Sequence, residues 1–155
     1  MAKGKKPNER LKHYLRGGRY YRNKAEYLFD KIEVLESQAE KMTTTFSQAP
    51  TFGGYTDHRQ AKMDELGDRQ KEYRKLIEKC RQRLIEIQRF IDMLEDKDER
   101  SVCELYYVFC EDNWQDVAIR LHFSLRYIHD LHSDALRHLS EIHEKMVANG
   151  KPPLY

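Results

Sequence analysis

The sequence predicts an all-α protein, a long helical hairpin or coiled coil followed by a helix-turn-helix. Three observations carry this. Apolar residues recur at spacings of three and four along two long stretches, the signature of amphipathic helices. Charged residues make up 35% of the chain and hydrophobic ones 39%, a balance that suits long solvated helices better than a thick core. Only four Pro and seven Gly occur in 155 residues, and three of these sit together in Ala49-Pro-Thr-Phe-Gly-Gly54, which marks one loop rather than a low-complexity chain.

Residues 1–22 read as a basic arm. Nine of the 28 Lys/Arg lie in the first 24 residues, against Glu9 alone, so this segment carries +8 and the remainder −6. A basic arm on an acidic body suggests a polyanionic partner. With duplex DNA as that partner, Lys3, Lys5, Lys6, Arg10, Arg16, Arg19 and Arg22 are the expected phosphate contacts. The alternative is a solubilising tail.

Residues 23–95 read as the hairpin or coiled-coil module. Leu28, Ile32, Leu35, Ala39 and Met42 form a stripe on a helix from about Asn23 to Met42, with Asn23 as N-cap and Glu26 as its capping-box partner. Residues 43–57 read as a loop, with Phe46, Phe52 and Tyr55 packing back onto a helix. The second helix, about His58 to Glu95, carries the strongest periodicity. Met63, Leu66, Gln70, Tyr73, Ile77, Cys80, Leu84, Ile87, Ile91 and Leu94 alternate at steps of three and four, with Gln70 as the one polar member. At 1.5 Å per residue this helix is about 55 Å long against about 30 Å for the first, so a hairpin leaves heptads uncovered. A second copy of the chain is the expected cover, through Tyr73, Ile77, Cys80, Leu84, Ile87 and Ile91. The alternative is that the C-terminal module folds over that seam.

Residues 96–147 read as a helix-turn-helix module, with 148–155 as a tail. Asp96-Lys-Asp98 has a helix N-cap signature. Val102, Leu105, Tyr106 and Phe109 share the face of the helix that follows, and Glu111-Asp-Asn113 ends it. Trp114 to Leu121 is a short helix burying Trp114, Val117, Ala118 and Leu121, with Ala118 as the small residue of a close crossing. His122-Phe123 is a tight turn, and Ser124 caps a last helix from Leu125 to about Val147, apolar at Ile128, Leu131, Ala135, Leu136, Leu139 and Ile142. A short helix bracing a second whose first turns reach base edges is the DNA-reading arrangement. Arg126, His129 and Asp130 share one face at i, i+3 and i+4.

The stretch from Leu121 to Leu139 resembles the last helix-turn-helix of primary sigma factors in its capping Ser124, its apolar Ile128 and Leu131, and its Ala135-Leu136-Arg137-x-Leu139 ending. Arg100-x-Val102-x-x-x-Tyr106 and Trp114-x-x-Val117-Ala118 extend the likeness upstream. Over about residues 25–140 the chain resembles the small ArpU/RinA-like phage late-transcription regulators, which also have an N-terminal helix, a Pro/Gly loop, a long coiled-coil helix and a sigma-like C-terminal module. The resemblance implies that Leu125, Arg126, Tyr127, His129 and Asp130 face DNA. Asp130 is repelled by phosphate unless it accepts from a cytosine amino group.

The expected function is therefore a sequence-specific DNA-binding transcription regulator, phage- or prophage-encoded, acting on late genes. The alternatives are a small terminase subunit that recognises phage DNA, and a non-enzymatic adaptor that contacts host RNA polymerase. Residues 97–155 hold seven Lys/Arg against ten Asp/Glu, which favours the adaptor. No cofactor, metal or catalytic residue is expected. His129 and His132 supply half of a metal site at best, Cys103 and Cys110 read as core, and no nucleophile elbow, zincin motif or phosphate loop occurs. The longest apolar run, Leu105 to Cys110, is too short for a membrane span. No apolar stretch follows the basic start, and the Cys count is odd, so a cytoplasmic protein of a bacterial host is expected.

Overall fold

A computed structural model of the chain describes residues 8–46, 55–109 and 111–155. All regular structure among them is helical. The elements are α1 (Glu9–Phe46), α2 (Tyr55–Ile91), α3 (Lys97–Cys103) running into a π-helical turn (Glu104–Val108), α4 (Trp114–Leu121) and α5 (Leu125–Ala148). The all-α expectation holds, and so does the pairing of two long helices. The expected helix-turn-helix is α4 and α5.

The expected division into a 1–22 arm, a 23–95 hairpin and a 96–147 module does not hold. Described residues up to Tyr21, with Gln82–Tyr155, form one compact unit, and Arg22–Arg81 form another. The reason lies in α1, which begins at Glu9 and not near Asn23. Leu11 and Leu15 are fully buried, so the segment that reads as an arm by charge is half of a core helix by packing. Asn23 is an exposed mid-helix residue and caps nothing. Lys3, Lys5, Lys6, the loop's centre at 47–54 with Phe52, and the side chains of Phe46 and Tyr55 lie outside what is described.

In the 22–81 unit, Leu28 and Ile32 of α1 close on Ile77 of α2, with Tyr73 packed at the edge. Further along α1, Glu36 reaches back to Arg74 at 3.6 Å, and the Lys31 ammonium lies 5.4 Å over the Tyr73 ring. Leu28 and Ile32 with Ile77, then Glu36 with Arg74, run in opposite order along the two helices, as a hairpin requires. The helices have 38 and 37 residues, about 55 Å each, so no length is left over.

The other unit has two adjoining cores. In one, Leu11 and Leu15 of α1, Ile87, Phe90 and Ile91 of α2 and Ala135, Leu136 and Leu139 of α5 meet Cys103 and Tyr107. In the other, Val102 supports the helix-turn-helix residues Val117, Ala118, Ile128 and Leu131. Ile87 is 2% exposed and Ile91 0%. The Ile87–Ile91 end of the seam assigned to a second copy is thus covered inside one chain, because the C-terminal helices and the front of α1 close over it. Ile77 and Cys80 are buried as well, and Tyr73 and Leu84 are half-buried. α2 ends at Ile91 rather than Glu95, and Leu94 is buried beyond its end. Its carbonyl accepts from the Arg100 guanidinium at 2.7 Å.

Asp96 caps α3 as expected, accepting from the amides of Asp98 and Glu99. Phe109 departs from expectation. It is 56% exposed, because a π turn takes an extra residue and swings it roughly a quarter turn off the face of Val102. The 148–155 segment is not a free tail. The Leu154 amide donates to His143 Nε2 at 3.2 Å, and the Tyr155 ring stacks on His143 with centroids 4.1 Å apart.

Candidate nucleic-acid interface

The α4–α5 corner is built by caps. Asn113 accepts from the Asp116 amide at 2.9 Å and starts α4. His122 takes the left-handed conformation, φ 57°, at the C-terminal end of α4. The Phe123 amide returns to the Ala118 carbonyl at 3.1 Å, closing the helix end in the usual left-handed way. Ser124 then starts α5, its hydroxyl accepting from the Tyr127 amide at 3.2 Å. Ala118, at the crossing, is buried with Ile128.

This corner fixes how α5 presents itself. Ile128, Leu131, Ala135, Leu136 and Leu139 are buried. Leu125, Arg126, Tyr127, His129 and Asp130 are all exposed, so each expected contact residue lies at the surface of the first two turns. They do not all share one face. Arg126 and Asp130 are on the outward side without forming the i, i+4 ion pair with each other. His129 turns to one flank, where its ring meets Trp114 edge-on with centroids 5.6 Å apart. Tyr127 turns to the other, edge-on to Phe123 at 5.1 Å.

An aromatic cluster on the His129 flank has no counterpart in the sequence reading. Tyr106 and Trp114 stack at 3.8 Å, and His132 tilts against Trp114 at 4.4 Å. Burial, and then the positive charges of Lys12, His129 and Arg16, push His132 down to about 4. Burial also raises Tyr107, and its hydroxyl lies 2.7 Å from His132 Nε2 in a hydrogen bond. His132, half of a weak metal motif in sequence, is held neutral in the fold by burial. The density of aromatic residues from Tyr106 to Trp114 was the available signal. His138 is also committed to structure. Its Nδ1 lies 2.7 Å from the carboxylate of Glu99, which is 5% exposed, and the pair ties α3 to α5. Cys103 is fully buried, its thiol pushed up to about 12 by desolvation. No group of three or more His, Cys, Asp or Glu able to hold a metal occurs among the described residues.

The α1 cations separate by face. Lys12, Arg16 and Arg19 recur at four and three residues, one stripe beside Leu11 and Leu15, whereas Arg10 falls on the far side of the helix. Arg19 donates to the Glu111 carbonyl at 2.6 Å, lies 3.8 Å from the Asp112 carboxylate, and sits 5.9 Å over the Tyr106 ring. Arg22 pairs with Glu26 at 3.3 Å. The expected phosphate contacts are thus not one arm, and Lys12, absent from the expected set, belongs with Arg16.

No family model matches the chain, and no curated protein or solved structure matches it. No helix among the described residues is long and apolar enough to cross a membrane.

Proposed function

We propose that the chain is a sequence-specific duplex-DNA-binding transcription regulator with α5 as its recognition helix. The observation that supports this best is the Ser124-capped start of α5, where Arg126 and Asp130 stand outward with no protein partner among the described residues. A guanidinium in that position pairs bidentately with the O6/N7 edge of guanine, and a carboxylate accepts from a cytosine amino group. The phage late-gene setting rests on the resemblance of the same segment to sigma-like regulators. The balance of seven bases against ten acids in residues 97–155 favours a second reading, an adaptor that contacts host RNA polymerase without reading DNA.

Binding of Arg126→Ala to DNA from the gene's own neighbourhood, and to random duplexes, separates the two. Recognition through α5 requires unchanged folding, a loss of at least about tenfold on the specific site and little loss on random DNA, in line with roughly 1–3 kcal/mol for a bidentate base contact. Equal losses reduce Arg126 to a phosphate contact. No loss on either puts the adaptor first.

A further inference from the structure

We infer that the N-terminal half of α1 is a second, rigid DNA contact, in which Lys12 and Arg16 hold one phosphate strand alongside the α5 recognition helix. The inference rests on the reading of α5 as that helix. It replaces a flexible basic arm with a fixed pair of cations on a folded surface.

Three contacts hold α1 in place. Leu11 and Leu15 share a core with Ala135, Leu136 and Leu139 of α5. Gly18 lets the helix approach the π turn so closely that a Cβ there would stand 2.5 Å from the Tyr107 carbonyl oxygen. Arg19 is engaged by the Glu111 carbonyl and the Asp112 carboxylate, so it acts as a positioning residue. The next cations on that stripe are Arg16, which is exposed, and Lys12, which lies 3.8 Å from exposed Glu9. Exposed pairs of that kind are worth little and yield readily to a stronger anion.

The stripe lies on the side of α5 where a strand must pass. Stepping round α5 from the core, His132 comes first, then His129, then outward Arg126. Arg19 of the same stripe sits 5.9 Å over the Tyr106 ring, which lies 6.4 Å from the His132 ring and stacks on Trp114, the ring that His129 meets, so the stripe runs along this flank. A helix is about 10–12 Å across with its side chains, and the major groove is about 12 Å wide, so an inserted helix has a phosphate strand against each flank. Cations at the His129/His132 flank therefore meet one of them. This also answers the acidic excess of residues 97–155: the phosphate attraction comes from α1, packed against the helix-turn-helix within one compact unit.

The test is the salt dependence of binding to a short random-sequence duplex, followed by fluorescence anisotropy. Each phosphate contact contributes about 0.9 to the slope of log affinity against log salt. Lys12→Ala/Arg16→Ala should lower the slope by nearly two while leaving the melting temperature and the base preference conferred by Arg126 unchanged. Arg10→Ala, on the far side of α1, should leave the slope as it is. An equal drop for Arg10→Ala would mean diffuse attraction and overturn the inference. So would an unchanged slope in the double variant while Arg126→Ala still loses its preferred site, and in that case the α5 reading survives. An intact protein that binds no duplex even at low salt overturns both.

Discussion

His132 shows how one side chain can be spent on the fold while lying beside the proposed DNA-reading face. Its ring is held by Trp114 and Tyr106, its Nε2 by the Tyr107 hydroxyl, and its neutral form by burial and by the nearby Lys12, Arg16 and His129. The consequence is a stability that depends on pH. Unfolded, the imidazole titrates near 6.5; folded, it titrates at about 4. Between these values the unfolded chain binds the extra proton, so stability is fully present above about 6.5 and drains away as the pH falls through the window. The loss from about pH 7 to about pH 5 is on the order of 2 kcal/mol from this one group. Urea unfolding at the two pH values should show it, and His132→Asn should flatten that portion of the dependence. A variant with the same pH slope as the parent would place the acid sensitivity elsewhere.

Among the elements, α1 is the one that sequence reading mistook, for a definite reason. Charge density draws attention to residues 1–22, and the single helical step from Leu11 to Leu15 is too short a pattern to stand out against it. Glycine inside a helix costs about 0.5–1 kcal/mol relative to alanine, so Gly17-Gly18 adds nothing to a helix signal there. At Gly18 the missing Cβ is what admits the Tyr107 carbonyl, and no pattern within α1 alone encodes a contact with a turn some ninety residues away. The α4–α5 corner was legible because its instructions are local: Asn113, Ser124 and the small Ala118 act within a few residues of where they stand. The π turn was not, since its effect on Phe109 depends on a one-residue insertion that leaves the apolar spacing intact. Gly18 and Gly67 make the contrast testable. A Cβ at Gly67 meets nothing within 4 Å, so Gly67→Ala should stabilise by about 0.5–1 kcal/mol. Gly18→Ala should destabilise by about 1–3 kcal/mol through overpacking against backbone. Thermal melts of the two variants should move in opposite directions; a gain for both would mean that α1 stands off the π turn.

For the whole molecule, the open matter is what the α2 stripe is for. Its periodicity was the clearest signal in the sequence, and periodicity specifies an apolar face without saying what covers it. A second chain and a fold-back of the same chain write the same pattern. The structure closes the upper part of the stripe from within, through Leu11, Leu15 and the α5 residues Ala135, Leu136 and Leu139 around Ile87 and Ile91. The two kinds of cover differ in what a buried charge does. If Ile87 belongs to an intrachain core, Ile87→Glu buries an unpaired carboxylate at a cost of several kcal/mol, comparable with the roughly 5–15 kcal/mol that holds a domain of this size together. The expected result is loss of the cooperative melt and of most helical circular dichroism, together with the loss of any DNA binding. If Ile87 instead faced a second copy, the same variant would give a folded species of lower native mass that still melts cooperatively. Native mass spectrometry and circular dichroism on Ile87→Glu, with exposed Ile85→Glu as the control on the same helix, distinguish the two: a folded, lighter Ile87→Glu would return the stripe to the interface between chains.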